Sequence, residues 1–423
     1  MTVQRYLQTP FSAPAPDKLL LCVDSTERYV FGLISCFVKR TNMQNISISR
    51  NLGSLGNLGK LSLVSLLFCA ATGHAQTPWV IGQSVPLTGS NAAFGIDIRD
   101  GGLAYFKSVN AKGGVDGRPI ELVSLDDKND RKTAGANAQK LLQENKVAAL
   151  FGFASATLSL DAMPLAEKAE VLFFAPFSGA NPVRKPNPVV FTLRASYPEE
   201  LEKMLAFWTG LGLKQVVVVH YDDEVGKQNL AAVVDYLAKQ GKQPQSFSLQ
   251  RNAKVEPSKL NELIKLKPDV LINTVLSGPA AEISRQLVSR GLTIPMSSLS
   301  FVGAQQFITA AGEAGAGVSI AQVVPSASSP LPVVRECAKA LQDSGIATPM
   351  NSTHLEACIG AKVLTEAMRR AKKPFNAESL MTSMRSLGTY DAGGFVVSYG
   401  ATKQHGSKFV DLAMVSRDGR LRN

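Results

Sequence analysis

Short apolar runs alternate with amphipathic segments along the chain from Trp79 onward. The run at 80–87 is typical of a strand, and 96–110 carries apolar residues at helical spacing. The alternation continues with predicted strands at 120–125, 148–151 and 171–174 and predicted helices at 133–143 and 158–169. Apolar strands separated by helices indicate a parallel sheet that is covered on both faces.

The same pattern then starts again with a helix at 199–211 and a strongly apolar strand at 215–221. Further strands are predicted at 245–249, 269–275, 296–299 and 319–324, separated by helices at 227–239, 257–266, 281–290 and 305–311. A chain of 423 residues is too long for one ordinary core. Two consecutive series of similar size therefore predict an α/β protein with two doubly wound parallel-sheet lobes.

After Pro325 the pattern becomes mainly helical, and strands return near the end. The periodicity predicts helices at 333–342, 355–371 and 377–386, then strands at 395–398 and 409–415. These late strands have no partner unless they complete the two earlier sheets. The chain is therefore expected to return to both lobes and to leave several hinge strands between them.

The N-terminal part contains the features of a secretory signal peptide. Arg50 and Lys60 precede an apolar run at 61–71, and a small-x-small site follows at 73–75. We expect cleavage near Ala75 and a periplasmic location. Since such a leader should begin the chain, Met43 is the expected start and 1–42 an extension; the alternative is an additional N-terminal domain.

Charge and cysteine content narrow the function further. The net charge is +11, but basic residues are interspersed with acidic ones, so no nucleic-acid partner is expected. No stretch approaches the ~18 apolar residues of a membrane span. Cys337 and Cys358 follow the predicted cleavage site and are compatible with either a disulfide or two buried thiols. His354 and Cys358 are four residues apart without further ligands nearby, so no metal is predicted.

Four loops at the predicted carboxyl ends of strands are rich in small and polar residues. They lie at 86–95, 152–157, 176–180 and 222–226. Ligands of open parallel sheets bind at this edge, and backbone amides with the hydroxyls of Ser155, Thr157 and Ser178 suit a carboxylate. Alternatively, these hydroxyls are only helix caps. The Asp126–Asp127 and Asp222–Asp223 pairs also resemble caps, and no catalytic set or cofactor motif is present, so an enzyme is not predicted.

Several motifs resemble the leucine/isoleucine/valine-binding family of periplasmic ABC-transporter components. The resemblance runs from about Trp79 to the C-terminus, through the segments 86–89, 109–118, 125–127, 164–168, 175–180 and 355–367. It implies a type I periplasmic-binding fold with three crossovers between lobes, a monomer, and delivery of a small molecule to a membrane permease. Lobe one would comprise 76–194 and 325–385, and lobe two 195–324 and 386–423.

The resemblance also implies a binding site, from which this chain departs at some positions. Ser155, Ala156 and Thr157 would face Phe177, Ser178 and Gly179 around a carboxylate, and Phe94 would close the pocket. Amino-acid binders place a tyrosine where this chain has Val225. They also have an aromatic residue near Ser277, which is absent here, and an acidic partner for the ammonium near Ser300, which is uncharged. The complete predicted set is Ser90, Phe94, Ala154, Ser155, Ala156, Thr157, Phe177, Ser178, Gly179, Tyr221, Val225, Ser277 and Ser300.

A buried ammonium without a counter-charge is costly. The ligand is therefore expected to be a carboxylate without the amine, an amide or an aromatic acid, within the broader class of small carboxylate-bearing or amino-acid-like molecules. The predicted function is solute binding for an ABC importer through hinge closure. The alternative is a receptor of the same fold that is coupled to signalling.

Overall fold

A computed structural model of the protein describes residues 77–251 and 253–422. The predicted signal peptide, its cleavage site near Ala75 and the extension at 1–42 lie outside the described residues. Within the described ranges, no helix is both long enough and apolar enough to traverse a bilayer. In the same ranges, no group of three or more His, Cys, Asp or Glu side chains is arranged to hold a metal ion.

The first sheet has five parallel strands in the order β2-β1-β3-β4-β5. They are β1 (Trp79–Val85), β2 (Ile120–Asp126), β3 (Ala149–Phe151), β4 (Leu172–Phe174) and β5 (Val190–Phe191). The intervening helices are α1 (Ala92–Asn110), α2 (Arg131–Gln143), α3 (Ala156–Ser159), α4 (Met163–Lys168) and α5 (Asn181–Arg184). In the register, Trp79 lies opposite Ile120, and Ile81 opposite Ala149.

The second sheet has seven strands in the order β14-β13-β10-β9-β8-β6-β7. Its parallel strands are β6 (Val216–Tyr221), β7 (Gln245–Leu249), β8 (Val270–Asn273), β9 (Met296–Ser298) and β10 (Ser319–Gln322). The associated helices are α6 (Tyr197–Gly210), α7 (Glu224–Ala238), α8 (Pro257–Lys265), α9 (Ser277–Ser289) and α10 (Ala304–Ala311), with short 3-10 turns at Ser300–Val302 and Gly312–Gly315. Every residue of β6 is buried, as its run of β-branched valines requires.

Two strands near the end of the chain make the second sheet mixed rather than fully parallel. Strand β13 (Asp411–Val415) pairs antiparallel with β10, and β14 (Leu421–Arg422) pairs antiparallel with β13. A short Asp-Gly turn at 418–419 joins β13 to β14, and such a turn can only join antiparallel neighbours. The second sheet is therefore parallel except at this edge, where the late strands complete it.

The three late helices cover the first sheet. They are α11 (Pro332–Asp343), α12 (Ser352–Arg370) and α13 (Ala377–Arg385). Helix α12 packs closely on α1 because Gly101 has no side chain; a Cβ there would lie 2.3 Å from the His354 carbonyl oxygen. A disulfide joins Cys337 of α11 to Cys358 of α12, which decides between the two states that the sequence left open.

The hairpin of β11 (Gly388–Asp391) and β12 (Val396–Tyr399) joins neither large sheet. Its Tyr399 ring packs against Phe174 and Phe191 of the first sheet, and the Tyr399 hydroxyl donates to the Thr192 carbonyl. From the sequence, residues 386–423 were assigned to lobe two and a strand at 395–398 was expected to help complete the sheets. The structure instead packs the hairpin beside the first sheet, because its aromatic face is buried there.

Three segments of the described chain connect the two groups of elements, at 192–196, 323–331 and 400–410. The first and third lie side by side, since the Thr192 amide donates to the Gln404 carbonyl and Thr192 bridges to His405. The sequence placed the third crossing at 385/386, whereas the structure places it after the hairpin. We call the two groups of elements the first half and the second half.

Candidate functional site

A cavity of about 140 Å³ lies between the two halves, at the carboxyl ends of their parallel strands. Loops after β1 to β5 and after β6 to β9 all contribute to it. The residues from the first half are Pro86, Ser90, Asn91, Phe94, Asn129, Ala154, Ser155, Ala156, Thr157, Leu158 and Phe177. Those from the second half are Tyr197, Tyr221, Val225, Gly226, Arg251, Thr274, Leu276, Ser277, Phe301, Val302 and Gln306. We call these two sets the first wall and the second wall.

Each wall uses a glycine to bring a helix close to the end of its strand. A Cβ at Gly95, in the first turn of α1, would lie 2.0 Å from the Pro86 carbonyl oxygen. A Cβ at Gly226, in the first turn of α7, would lie 2.0 Å from the Tyr221 carbonyl oxygen. Only glycine allows both approaches, so the sequence places the start of both helices at the edge of the cavity.

Aromatic rings form the apolar part of both walls. Phe94 and Phe177 meet edge to face in the first wall, with ring centres 6.1 Å apart. Tyr197 and Phe301 lie 5.2 Å apart in the second wall. Rings in these arrangements hold one another in place, so the cavity has a defined apolar surface on both sides.

The polar groups of the first wall are uncharged. Ser155 caps α3 because its Oγ accepts a hydrogen bond from the Leu158 amide, at 3.2 Å. The cap interpretation that the sequence left open therefore applies to this hydroxyl, which nevertheless lines the cavity. Ser90 and Thr157 add two further hydroxyls, and Asn91 and Asn129 add amides. This wall can donate hydrogen bonds to a ligand without supplying a charge.

The second wall contains one charged side chain, Arg251. Its guanidinium lies over the Tyr221 ring, 4.2 Å from the ring centre. Its Nε and Nη2 donate to Asp223 Oδ2 at 2.9 and 2.5 Å, and Asp223 also caps α7 by accepting from the Gly226 amide. The Tyr221 hydroxyl accepts from the Leu276 amide, at 3.2 Å. Stacking and ion pairing together fix the position of the guanidinium.

A buried polar cluster lies behind the cavity, beside the first connecting segment. Arg194 donates from Nε and Nη2 to the two carboxylate oxygens of Glu356, at 2.7 and 2.5 Å. Ser300 donates to Glu200 through its amide and its hydroxyl, and its hydroxyl oxygen accepts from Arg194. Burial raises the pKa of Glu200 to about 7, although Arg194 and Ser300 oppose this shift. We call these four residues the hinge cluster.

The mouth of the cavity is crossed by a hydrogen bond between the two halves. Gln306 of α10 donates to Asp97 of α1, with Nε2 and Oδ2 at 2.9 Å. Asn351 donates to the same oxygen at 2.9 Å, and His354 Nε2 lies 3.3 Å from the other carboxylate oxygen. Asp97 is therefore held by the first half and accepts a hydrogen bond from Gln306 of the second half.

Comparison with known proteins agrees with this architecture. The family model described as "Periplasmic binding protein" matches residues 78–420. The chain belongs to the periplasmic binding protein family. This confirms both the predicted resemblance and the expectation that the protein binds a solute and is not an enzyme, because the family consists of solute-binding proteins.

Individual relatives of this periplasmic binding protein are similar over most of its length. An amino acid binding protein of Pseudomonas aeruginosa is 27% identical over 60% of this chain and 69% of its own. The Leu/Ile/Val-binding protein homolog 7 of Brucella suis is 25% identical over 85% of this chain and 94% of its own. The crystal structure of a possible leucine/isoleucine/valine-binding protein from Rhodopirellula baltica superposes with a TM-score of 0.78 and 25% identity, over 82% of this chain and 97% of that one. The predicted type I periplasmic-binding fold is confirmed.

The cavity of this binding protein contains most of the residues that the sequence singled out. Those that line it are Ser90, Phe94, Ala154, Ser155, Ala156, Thr157, Phe177, Tyr221, Val225 and Ser277. Three others lie behind it. The Ser178 hydroxyl donates to the Tyr197 hydroxyl, a Cβ at Gly179 would lie 2.7 Å from the Tyr197 ring, and Ser300 belongs to the hinge cluster. Tyr197 lines the cavity in the position where the loop at 178–179 was expected.

Sequence reasoning missed the contribution of Arg251, Tyr197, Phe301 and Gln306. Arg251 follows the predicted strand at 245–249 by two residues, so the rule that selected the other loops also applied to this one. Tyr197 is the first residue of α6, directly after the first connecting segment. Phe301 lies in the short 3-10 turn between β9 and α10. Their contact with the cavity depends on how the two halves face each other, which periodicity along the chain does not specify.

Proposed function

We propose that this protein is the periplasmic solute-binding component of an ABC importer and that it closes over one small carboxylate-bearing or amino-acid-like molecule. The observation that carries the proposal is the cavity itself, which both halves line at the carboxyl ends of their strands. An enclosed, mainly apolar site with a few directed polar groups is typical of small-molecule binding.

Closure is the physical basis of the proposed mechanism. A solute that contacts both walls stabilises the closed arrangement over an open one by the difference in its affinity for the two. The Asp97–Gln306 hydrogen bond joins the two halves and would add to the stability of the closed arrangement. The membrane permease of the importer would then recognise the closed, loaded monomer.

The relatives support the class of solute. Proteins named for binding amino acids, or leucine, isoleucine and valine, align with most of this chain. The uncharged hydroxyls of the first wall suit the carboxylate of such a solute, and the aromatic rings suit an apolar body. Secretion through a signal peptide cleaved near Ala75 would bring the protein to the compartment where such a solute is captured.

The proposal predicts that a cognate carboxylate raises the melting temperature of the mature protein, since a ligand that binds only the folded state stabilises it. We expect Val225→Trp, which fills the cavity from the second wall, to abolish this increase. The measurement is a thermal-shift screen with carboxylic and amino acids.

Val288→Trp is the matched control, because Val288 is 53% exposed on α9 and does not line the cavity. The control should keep the ligand-induced increase. A screen without any increase for the wild type, or equal increases for the wild type and Val225→Trp, would contradict the proposed site.

A further inference from the structure

The charge of the cavity lining is entirely on one side. Among its lining residues, all of which belong to the described part of the chain, Arg251 carries the single formal charge at neutral pH. The polar groups of the first wall are hydroxyls, amides and backbone groups, all of them uncharged. Among the lining side chains, a solute therefore meets one positive charge, which Asp223 pairs from behind, and no negative one.

The acidic side chains nearest to the lining already have partners. Glu356 is paired with Arg194, and Glu200 accepts two hydrogen bonds from Ser300. Asp223 accepts from Arg251 and from the Gly226 amide. A solute ammonium inside the cavity would thus be desolvated without a counter-charge, which costs several kcal/mol in proteins generally.

Arg251 is arranged to receive an anionic group. The Tyr221 ring supports one face of its guanidinium, and Asp223 occupies Nε and Nη2. Nη1 has no hydrogen-bond acceptor within residues 77–251 and 253–422, so one edge of the fork is open. The Arg251 side chain is 38% exposed and lines the cavity. Arginine binds carboxylates strongly because its planar donors match their geometry.

We infer that Arg251 is a specificity-determining residue that binds a second acidic group of the solute, and that the ligand class is small dicarboxylates or related dianions. This inference rests on the proposed function, since it concerns the same cavity. One acidic group contacts the uncharged donors of the first wall, and the other contacts the guanidinium of the second wall. Both contacts form only when the halves are closed.

The test compares matched ligands by isothermal titration calorimetry of the mature protein. The probes are linear dicarboxylates of four to six carbons, the monocarboxylates of equal length, and the ω-amino acids of equal length. The wild type should bind its best dicarboxylate at least about tenfold more tightly than the matched monocarboxylate, the usual scale of a hydrogen bond to a charged group. The ω-amino acid should bind no better than the monocarboxylate.

Arg251→Gln should remove this preference, by weakening dicarboxylate binding about tenfold and changing monocarboxylate binding less than about threefold. Arg251→Lys should restore part of it, because the charge is kept and the fork is lost. Arg420→Gln removes an equal charge from an exposed side chain outside the cavity and should bind like the wild type.

Three results would overturn the inference and leave the proposed function standing. They are equal losses for both ligand classes in Arg251→Gln, binding of a monocarboxylate or amino acid without binding of any dicarboxylate, and unchanged dicarboxylate affinity in Arg251→Gln. Failure of every carboxylic and amino acid to bind the wild type would instead contradict the proposed function itself.

Discussion

The two walls of the cavity share a backbone arrangement and differ in their side chains. In both, a glycine in the first turn of a helix lies against the carbonyl at the end of a strand, Gly95 against Pro86 and Gly226 against Tyr221. The residue before this glycine is Phe94 in the first wall and Val225 in the second. The shared part positions two helix starts around a space, and the differing part determines what that space accepts.

The walls differ most in charge. The first wall has hydroxyls and amides, and the second has Arg251 on the ring of Tyr221. A fold with two similar halves can therefore produce an asymmetric site, in which each half offers different groups to a solute. Substitutions can therefore disturb either the shared backbone arrangement or the differing side chains.

The largest expected effect comes from breaking the shared arrangement. Gly95→Ala and Gly226→Ala each place a methyl group 2.0 Å from a backbone oxygen that cannot move independently. We expect each to lower the free energy of unfolding by about 3 kcal/mol, the upper range for overpacking, and to abolish solute binding. Urea unfolding and calorimetry would measure the two effects.

Gly210→Ala serves as the control, because a Cβ there meets nothing within 4 Å and the residue ends a helix at the surface. It should leave stability unchanged or slightly raised. If either cavity glycine tolerates alanine as well as Gly210 does, the close approach is not what shapes the walls.

The next largest effect is on the pH dependence of stability, to which one buried carboxyl group behind each wall contributes in a different pH range. Burial raises the pKa of Asp127, behind the first wall, to about 6, and that of Glu200, behind the second wall, to about 7. The folded protein therefore binds these two protons more tightly than the unfolded chain, so the contribution of these two carboxyl groups to stability falls as the pH rises from about 4 to 7. Glu200→Gln should remove roughly 2 kcal/mol of this fall, mainly between pH 5 and 7.

Asp127→Asn should flatten the curve at lower pH, up to about pH 6, because its pKa is raised less far. Chemical unfolding at fixed pH values would resolve the two windows. A pH dependence of stability between pH 5 and 7 that is the same in Glu200→Gln as in the wild type would show that Glu200 is ionised in the folded state without cost.

The smallest effect concerns the contact between the halves at the mouth. Gln306→Ala removes the hydrogen bond to Asp97, and Asp97 keeps Asn351 as a donor. We expect about 1 kcal/mol less stabilisation of the closed arrangement, seen as solute affinity reduced about fivefold with little change in unfolding. Gln305→Ala, on the same helix without a partner in the first half, should not alter affinity.

The order of strands and helices in both halves followed from the sequence, because continuous apolar runs and helical spacing are local signals. The antiparallel pairing of β13 and the position of the β11–β12 hairpin could not be predicted in this way. Both depend on packing against residues that are distant in the sequence. Tyr399 shows this, because its ring is buried against Phe174 and Phe191, which lie more than 200 residues earlier.

The candidate site was predictable to the extent that it follows the carboxyl ends of strands. The residues at 154–157 and Phe94 line the cavity as expected. Ser300 does not, because Glu200 and Arg194 hold it in the hinge cluster, and neither partner has a local signal in the sequence. Arg251 was within reach of the same rule, but arginine is mostly exposed in proteins, and nothing local in the sequence separates this one from an ordinary surface side chain.

Small-angle X-ray scattering of the mature protein, with and without the carboxylate that raises its melting temperature most, would show whether the two halves close over a solute. We expect a smaller radius of gyration with the solute, and no change for Val225→Trp under the same conditions. Identical profiles at saturating solute, with binding confirmed by calorimetry, would contradict closure of the two halves over the ligand.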